Sequence, residues 1–199
     1  MEEKTFVDDI NRSVYDIKNE ENDSYRIKQG LTPEIVEKIS EEKHDPAWMR
    51  EFRLKSLEIY NNMQVPDWGP SIDGLNMDNI ATYVRANTNM KGDWKDVPEE
   101  IKDTFDRLGI PKAERESLAG VGAQYDSELV YHNVRKEVAD QGVVYTDMES
   151  ALTGEYADMV HEHFMKLITP QDHKFAALHG AVWSGGSFAV SYTHLTLPT

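Results

Sequence analysis

The residues with the plainest chemical potential lie near the C-terminal end, in "HGAVWSGGSF", His179 to Phe188. Set against the phosphate-loop pattern G-x-x-x-x-G-K-[ST], Gly180, Gly185 and Ser187 fall in register, but Gly186 stands where the lysine belongs. Such a loop needs a strand before it, backbone amides converging on the phosphates, a lysine for their charge and a helix after it. Here a helical pattern runs into the glycines, and the nearby cation, Lys174, lies back along that helix. The glycines are therefore expected to let the chain leave a helix through positive φ. Ser184 and Ser187 sit near His179, yet "SGGS" lacks the strand-turn-helix frame that exposes a nucleophilic serine.

A second candidate is His161-Glu162-His163, with His173 and His179 further on. On a helix, residues two apart point about 200° apart, whereas two ligands sharing one metal need spacing three or four. The surrounding period is helical, so these histidines are expected to be solvated helix positions. The acidic pairs Asp8/Asp9, Glu41/Glu42 and Glu99/Glu100 suit helix N-termini and solubility better than acid-base catalysis. Trp48, Trp68, Trp94 and Trp183 fit core or interface anchoring; without a basic patch around them they do not suggest stacking on bases. The chain contains no cysteine, which excludes a disulfide, a thiolate zinc site and a cysteine nucleophile within these residues. No catalytic, cofactor-binding or metal residue is assigned, and no enzyme is expected.

Charge narrows the partners. With 36 Asp and Glu against 21 Lys and Arg, the net charge of −15 disfavours nucleic acid and anionic membranes. The opening "MEEKTFVDDI" has neither the basic flank nor the apolar run of a signal peptide, and no stretch reaches the roughly 20 apolar residues of a membrane span. A cytoplasmic protein is expected. At 199 residues the chain can bury a core without disulfide or metal staples.

The elements that must position these residues follow from local signals. Residues 1–30 are polar and weakly periodic, predicting a short helix and an exposed connector. Thr32 and Pro33 open a helix with Leu31, Ile35 and Ile39 on one face. Asp45 and Pro46 open another, with a stripe of Met49, Phe52, Ile59, Tyr60 and Met63. "VPDWGPSIDG" is irregular, with Trp68 as its expected anchor, and "MDNIATYVRAN" is a short helix or strand. Pro98 starts a helix buried through Ile101, Phe105 and Leu108 and ended by Gly109 and Pro111. "ELVYHNV" and "GVVYT" read as strands around a possible helical turn. Thr146 and Glu149 have capping-box spacing for a helix through Leu152; Tyr156, Val160, Phe164 and Leu167 then point inward. A last helix buries Phe175, Leu178 and Val182.

"EFRLKSLEIY" followed by "PDWGP", "DVPEEIKDTFDRLGIP", "ERESLAGVGAQYDSELVYHNV", "GVVYTDMESAL" and "KFAALHGAVWSGGSF" are collinear and span most of Gly30 to Phe188. Together they resemble the N-terminal part of SufB in the SufB/SufD family, scaffold proteins of SUF iron-sulfur cluster assembly. The resemblance implies an α+β fold: a predominantly helical N-terminal domain with short strands, ending at the start of a truncated right-handed parallel β-helix. It divides the chain into a polar segment, 1–30, the helical domain, 31–180, and the first residues of the β-helix, 181–189. The glycines of "WSGGS" then look like the hinge into the β-helix. It also implies the ATPase SufC and SufD as partners, and an iron-sulfur cluster built in the full-length family protein with none on this chain.

The last ten residues, 190–199, "VSYTHLTLPT", resemble the in-frame translation of a transposase-type sequencing adapter. Native sequence is expected to stop between Phe188 and Val190, leaving apolar surface exposed around Phe175, Leu178, Val182 and Trp183. The competing readings are a stand-alone acidic helical module that docks a basic partner, and a metal-dependent hydrolase using His161, His163 and His179.

Overall fold

In the computed structural model, residues 23–69, 71–109 and 120–191 are described. They form an α+β fold of seven α-helices, two single-turn 3-10 helices and six strands, the strands paired antiparallel in three two-stranded ribbons. The helix expected within residues 1–22, Pro111, and the tail beyond Ser191 lie outside the described residues.

Strand β1, Asp23–Arg26, pairs with β2, Val84–Ala86. The segment expected to be an exposed connector therefore ends as an edge of the fold, and Ile27 just after it is buried against Ile35, Ile39 and Tyr83. Helix α1, Pro33–Glu42, starts as its residues dictate: the Thr32 side chain accepts from the Ile35 amide, and Pro33 needs no partner for its nitrogen. Helix α2, Ala47–Asn62, departs from expectation at its start, because Pro46 occupies the cap position and Asp45 makes no capping bond. Its buried residues are Met49, Arg53, Ser56 and Leu57, while Phe52, Ile59, Tyr60 and Met63 are only partly covered.

The reason for that rotated face is helix α7, Lys174–Val182, which lies along α2. Its buried residues are Ala176, Ala177, Gly180 and Ala181, in place of the expected Phe175, Leu178 and Val182. Small side chains let two helix backbones approach closely, so a seam of alanine and glycine displaces the bulky positions to its flanks. A β-carbon on Gly180 would stand 2.6 Å from Ser56 Oγ and 3.0 Å from Ser56 Cβ.

Helix α3, Glu99–Arg107, buries Ile101 and lays Phe105 edge-on to Trp94, but Leu108 is exposed where Gly109 turns the chain at φ +75°. Strands β3, Gly120–Tyr125, and β4, Glu128–Val134, form a hairpin whose Ala123, Val130 and Tyr131 complete the core over Ile101. After the short helix α4, Lys136–Ala139, strand β5, Val144–Asp147, runs straight into α5, Met148–Thr153. The cap of α5 is Asp147, whose carboxylate accepts from the Ser150 amide at 2.8 Å; Thr146 is still in the strand. Asp147→Ala is thus expected to cost about 1 kcal/mol or somewhat more, whereas Thr146→Ala should stay within about 0.5 kcal/mol. Paired urea melts check this, and equal losses would restore Thr146 as the cap.

Helix α6, Ala157–His163, stops early: Met165 takes φ +48°, the helical period breaks, and Leu167 is 99% exposed instead of inward. Trp68 is 73% exposed, so it is no buried anchor; its ring meets His173 edge-on. Trp183, expected at an exposed apolar edge, is buried with Met49, Leu152 and Val160. Strand β6, Ser187–Val190, returns beside β5, with Phe188 opposite Thr146 and Val190 opposite Val144.

Candidate functional site

Three of the candidate histidines, His163, His173 and His179, line one groove beside α7, whereas His161 is turned to Trp48. The His161 ring packs on Trp48 at a 32° tilt, with ring centroids 4.3 Å apart. His173 caps α7, its Nδ1 accepting from the amides of Phe175 and Ala176 at 3.1 Å. Lys174 donates to the carbonyls of Tyr60 and Met63 at the end of α2, at 3.0 and 2.8 Å. Among the described residues no group of three or more His, Cys, Asp or Glu could hold a metal ion.

The glycine turn is different, because it sits on a charged junction that the sequence did not reveal. Gly185 and Gly186 take φ +69° and +123°, so the chain leaves α7 through the left-handed conformations that glycine permits. The Gly185 amide, which a phosphate loop would offer to its ligand, donates to Glu149 Oε1 at 2.7 Å. A carboxylate already holds the place of an anion and would repel a phosphate, so the nucleotide reading fails on charge as well as on topology.

Lys43, at the end of α1, binds that same Glu149 oxygen and Glu128 Oε1, each at 3.0 Å. Its side chain is 5% exposed, so its charge is matched almost entirely by these two carboxylates. Glu128 also accepts a short hydrogen bond from the hydroxyl of the fully buried Tyr83. Burial, then the bond to Glu128, pushes the Tyr83 phenol well above its ordinary range. Arg85 donates to the Tyr83 hydroxyl at 3.2 Å and to Glu42 at 2.9 Å, closing the far end of the chain of contacts.

A second buried pair lies under the same turn. Arg53 Nε donates to Asp45 Oδ2 at 2.6 Å, both side chains being at most 1% exposed. Arg53 Nη1 donates to the carbonyl of Trp183 at 2.9 Å, and its guanidinium lies over the Trp183 ring at 4.7 Å. Burial draws the guanidinium pKa down from its ordinary value, opposed by the charge and hydrogen bond of Asp45. Asp45 is therefore an ion-pair partner where the sequence pattern suggested a cap.

These contacts tie α1, α2, α5 and β4 to the last turn of α7 and its glycine exit. Chemically the junction supplies no nucleophile poised beside a base; it fixes backbone direction. Lys43→Met leaves Glu149 without its lysine and Glu128 with Arg85 Nε at 3.8 Å, and is expected to cost about 2–4 kcal/mol, at the lower end because both carboxylates are near one-quarter exposed. Chemical denaturation of the variant beside the parent checks it, and a loss below about 1 kcal/mol would reduce the junction to a surface ion pair.

No family model matches the chain. A Bacillus subtilis protein named iron-sulfur cluster assembly protein SufB is 51% identical to it over 180 residues, 90% of this chain. The chain belongs to the SufB/SufD family. Iron-sulfur cluster assembly SufBD family proteins of Staphylococcus haemolyticus and Staphylococcus aureus are each 44% identical over 191 residues, 96% of the chain. The chain spans 38% of the length of the Bacillus relative and 41% of the Staphylococcus ones. These SufB/SufD relatives are named for assembly and not for a reaction. No helix among the described residues is long and apolar enough to cross a membrane.

Proposed function

We propose that this chain serves iron-sulfur cluster assembly as the helical N-terminal platform of a SufB-type scaffold. The 51% identity to a protein named for that role carries the reading. The platform performs no reaction itself. It lacks cysteine throughout, so the cluster is cargo handled by residues beyond this part of the scaffold.

The charged junction gives the platform a mechanical task. In this reading the Gly185–Gly186 turn passes the chain toward a right-handed parallel β-helix, with residues 31–180 as the platform and 181–189 leading out of it. Glu149 on the Gly185 amide and Lys43 on Glu149 then set the direction of departure. SufC and SufD are the partners of the assembled scaffold, ATP hydrolysis belongs to SufC, and the complex works in the cytoplasm.

The partner assignment is tested with a chimera in which this chain replaces the aligned segment of the Bacillus subtilis relative. The chimera, purified from Bacillus subtilis cells, should bring down SufC and SufD as the unaltered protein does. A folded chimera that brings down neither would overturn the assignment.

A further inference from the structure

Tyr145, on β5, joins the β3–β4 hairpin to the β5–β6 ribbon. Its ring stacks on that of His132, on β4, with centroids 4.9 Å apart and planes at 26°. A β-carbon on Gly120 would stand 2.8 Å from Tyr145 Cδ1, and one on Gly122 3.3 Å from its hydroxyl. The two glycines of β3 thus leave room for the phenol to lie against the hairpin. At its far end the hydroxyl meets Ser187 Oγ, on β6, at 3.2 Å. The same strand carries Asp147, the cap of α5, and α5 carries the Glu149 that holds the Gly185 amide.

His132 is the weak half of this contact. Its Nε2 is buried and finds no hydrogen-bond partner among the described residues. A neutral imidazole can keep its proton on Nδ1 and turn only a lone pair inward. An imidazolium is protonated on both nitrogens, so it would bury an N–H without an acceptor together with a charge. We propose that His132 and Tyr145 form an acid-sensitive latch, in which protonation of His132 breaks the stack and frees the β3–β4 hairpin from β5.

The surroundings give the cation little relief. From β3, His132 faces Gly122, which has no side chain. Lys91, whose carbonyl accepts the His132 amide at 3.0 Å, is bridged to Tyr131 and so presents its side chain to the other face of β4. Arg85 of β2 and Glu128 at the start of β4 are engaged with Tyr83. From β5 come the Tyr145 phenol and the Asp147 carboxylate. Burial draws the imidazole below its ordinary value, and the charge of Asp147, already bonded to the Ser150 amide, opposes this only in part. The freed ring therefore takes up a proton more readily than the latched one. The latch is intact above about pH 6.5 and weakens as pH falls below it, ahead of the carboxylates that titrate near about pH 4.

Nuclear Overhauser contacts between the Tyr145 ring and the Gly120 α-protons, followed in the full chain from neutral pH downward while the His132 ring is titrated, test the latch. The contacts should weaken at least about threefold in step with His132 protonation, whose midpoint should lie below the unfolded value of about 6.5. His132→Phe keeps a ring for the stack and takes no proton, so it should hold the contacts through the same range. Contacts that survive protonation of His132, or that weaken equally in His132→Phe, would overturn the proposal. Should His132→Phe fail to fold, the unaltered chain still decides: a His132 midpoint at or above about 6.5 would mean that the folded ring gains from its proton, and would overturn the latch as well.

Discussion

Arg53→Met is expected to lower the unfolding free energy by about 3–5 kcal/mol, the largest loss available from one charged residue in the described fold. The methionine fills much of the space, so the cost is electrostatic. Asp45, 1% exposed, would keep a charge with no cation within its hydrogen-bond shell, and the Trp183 and Ala181 carbonyls would lose their donor. A buried ion pair is expensive to form, and its replacement by two apolar residues can be close to neutral. Arg53→Met with Asp45→Leu should therefore recover a substantial part of what Arg53→Met loses alone. Urea unfolding followed by tryptophan fluorescence gives both numbers. A single-variant loss below about 1 kcal/mol would place the pair with surface salt bridges and remove its structural role.

Gly180→Ala makes the second large effect, and here two principles predict opposite signs. Helix propensity favours alanine over glycine by about 1 kcal/mol in a helix interior. The new β-carbon, however, would lie 2.6 Å from Ser56 Oγ and 3.0 Å from Ser56 Cβ, with Phe52 Cε1 at 3.4 Å. The Ser56 hydroxyl is itself bonded to the Phe52 carbonyl at 2.8 Å, and both helices are held in the core, so α7 must move away from α2. Overpacking of this kind costs about 1–3 kcal/mol, enough to reverse the propensity gain. Gly180→Ala should destabilise in the native background and become neutral or stabilising when Ser56→Gly is added. A stabilising effect without Ser56→Gly would mean that the two helices do not pack at this distance.

The sequence made the local features legible because their causes are local. Thr32 and Pro33 mark a helix start within four residues, the β-branched and aromatic residues Val130, Tyr131 and Val134 mark a strand, and the glycines of Gly185–Gly186 mark a left-handed exit. The periodicity of α7 does not predict its buried face, because its partner is a serine on α2, distant in sequence, and closeness of approach selects Ala and Gly over Phe and Leu. The period that points Leu167 inward is interrupted at Met165. Thr146 and Asp147 are adjacent, and only the depth of β5 decides which caps α5.

The charged junction was less accessible still. Lys43 meets carboxylates on β4 and α5, elements far along the chain, and a lysine after Glu41 and Glu42 reads locally as one more surface charge. Arg53 did leave a trace. It lies four residues after Met49 and four before Leu57, on the stripe between two buried apolar positions, where a solvated arginine would be out of place. Its spacing of eight from Asp45 was the remaining clue.

The role proposed for this chain, the platform of a cluster-assembly scaffold, is exercised in cells. Its most direct test is to let the chimera with the Bacillus subtilis relative stand as the sole SufB of a depleted strain and measure the activity of an iron-sulfur enzyme in those cells. Activity near that of the strain's own protein is expected, lost when Lys43→Met and Arg53→Met are combined in the chimera. A chimera that accumulates folded to normal levels, yet leaves the iron-sulfur enzyme without activity, would contradict it.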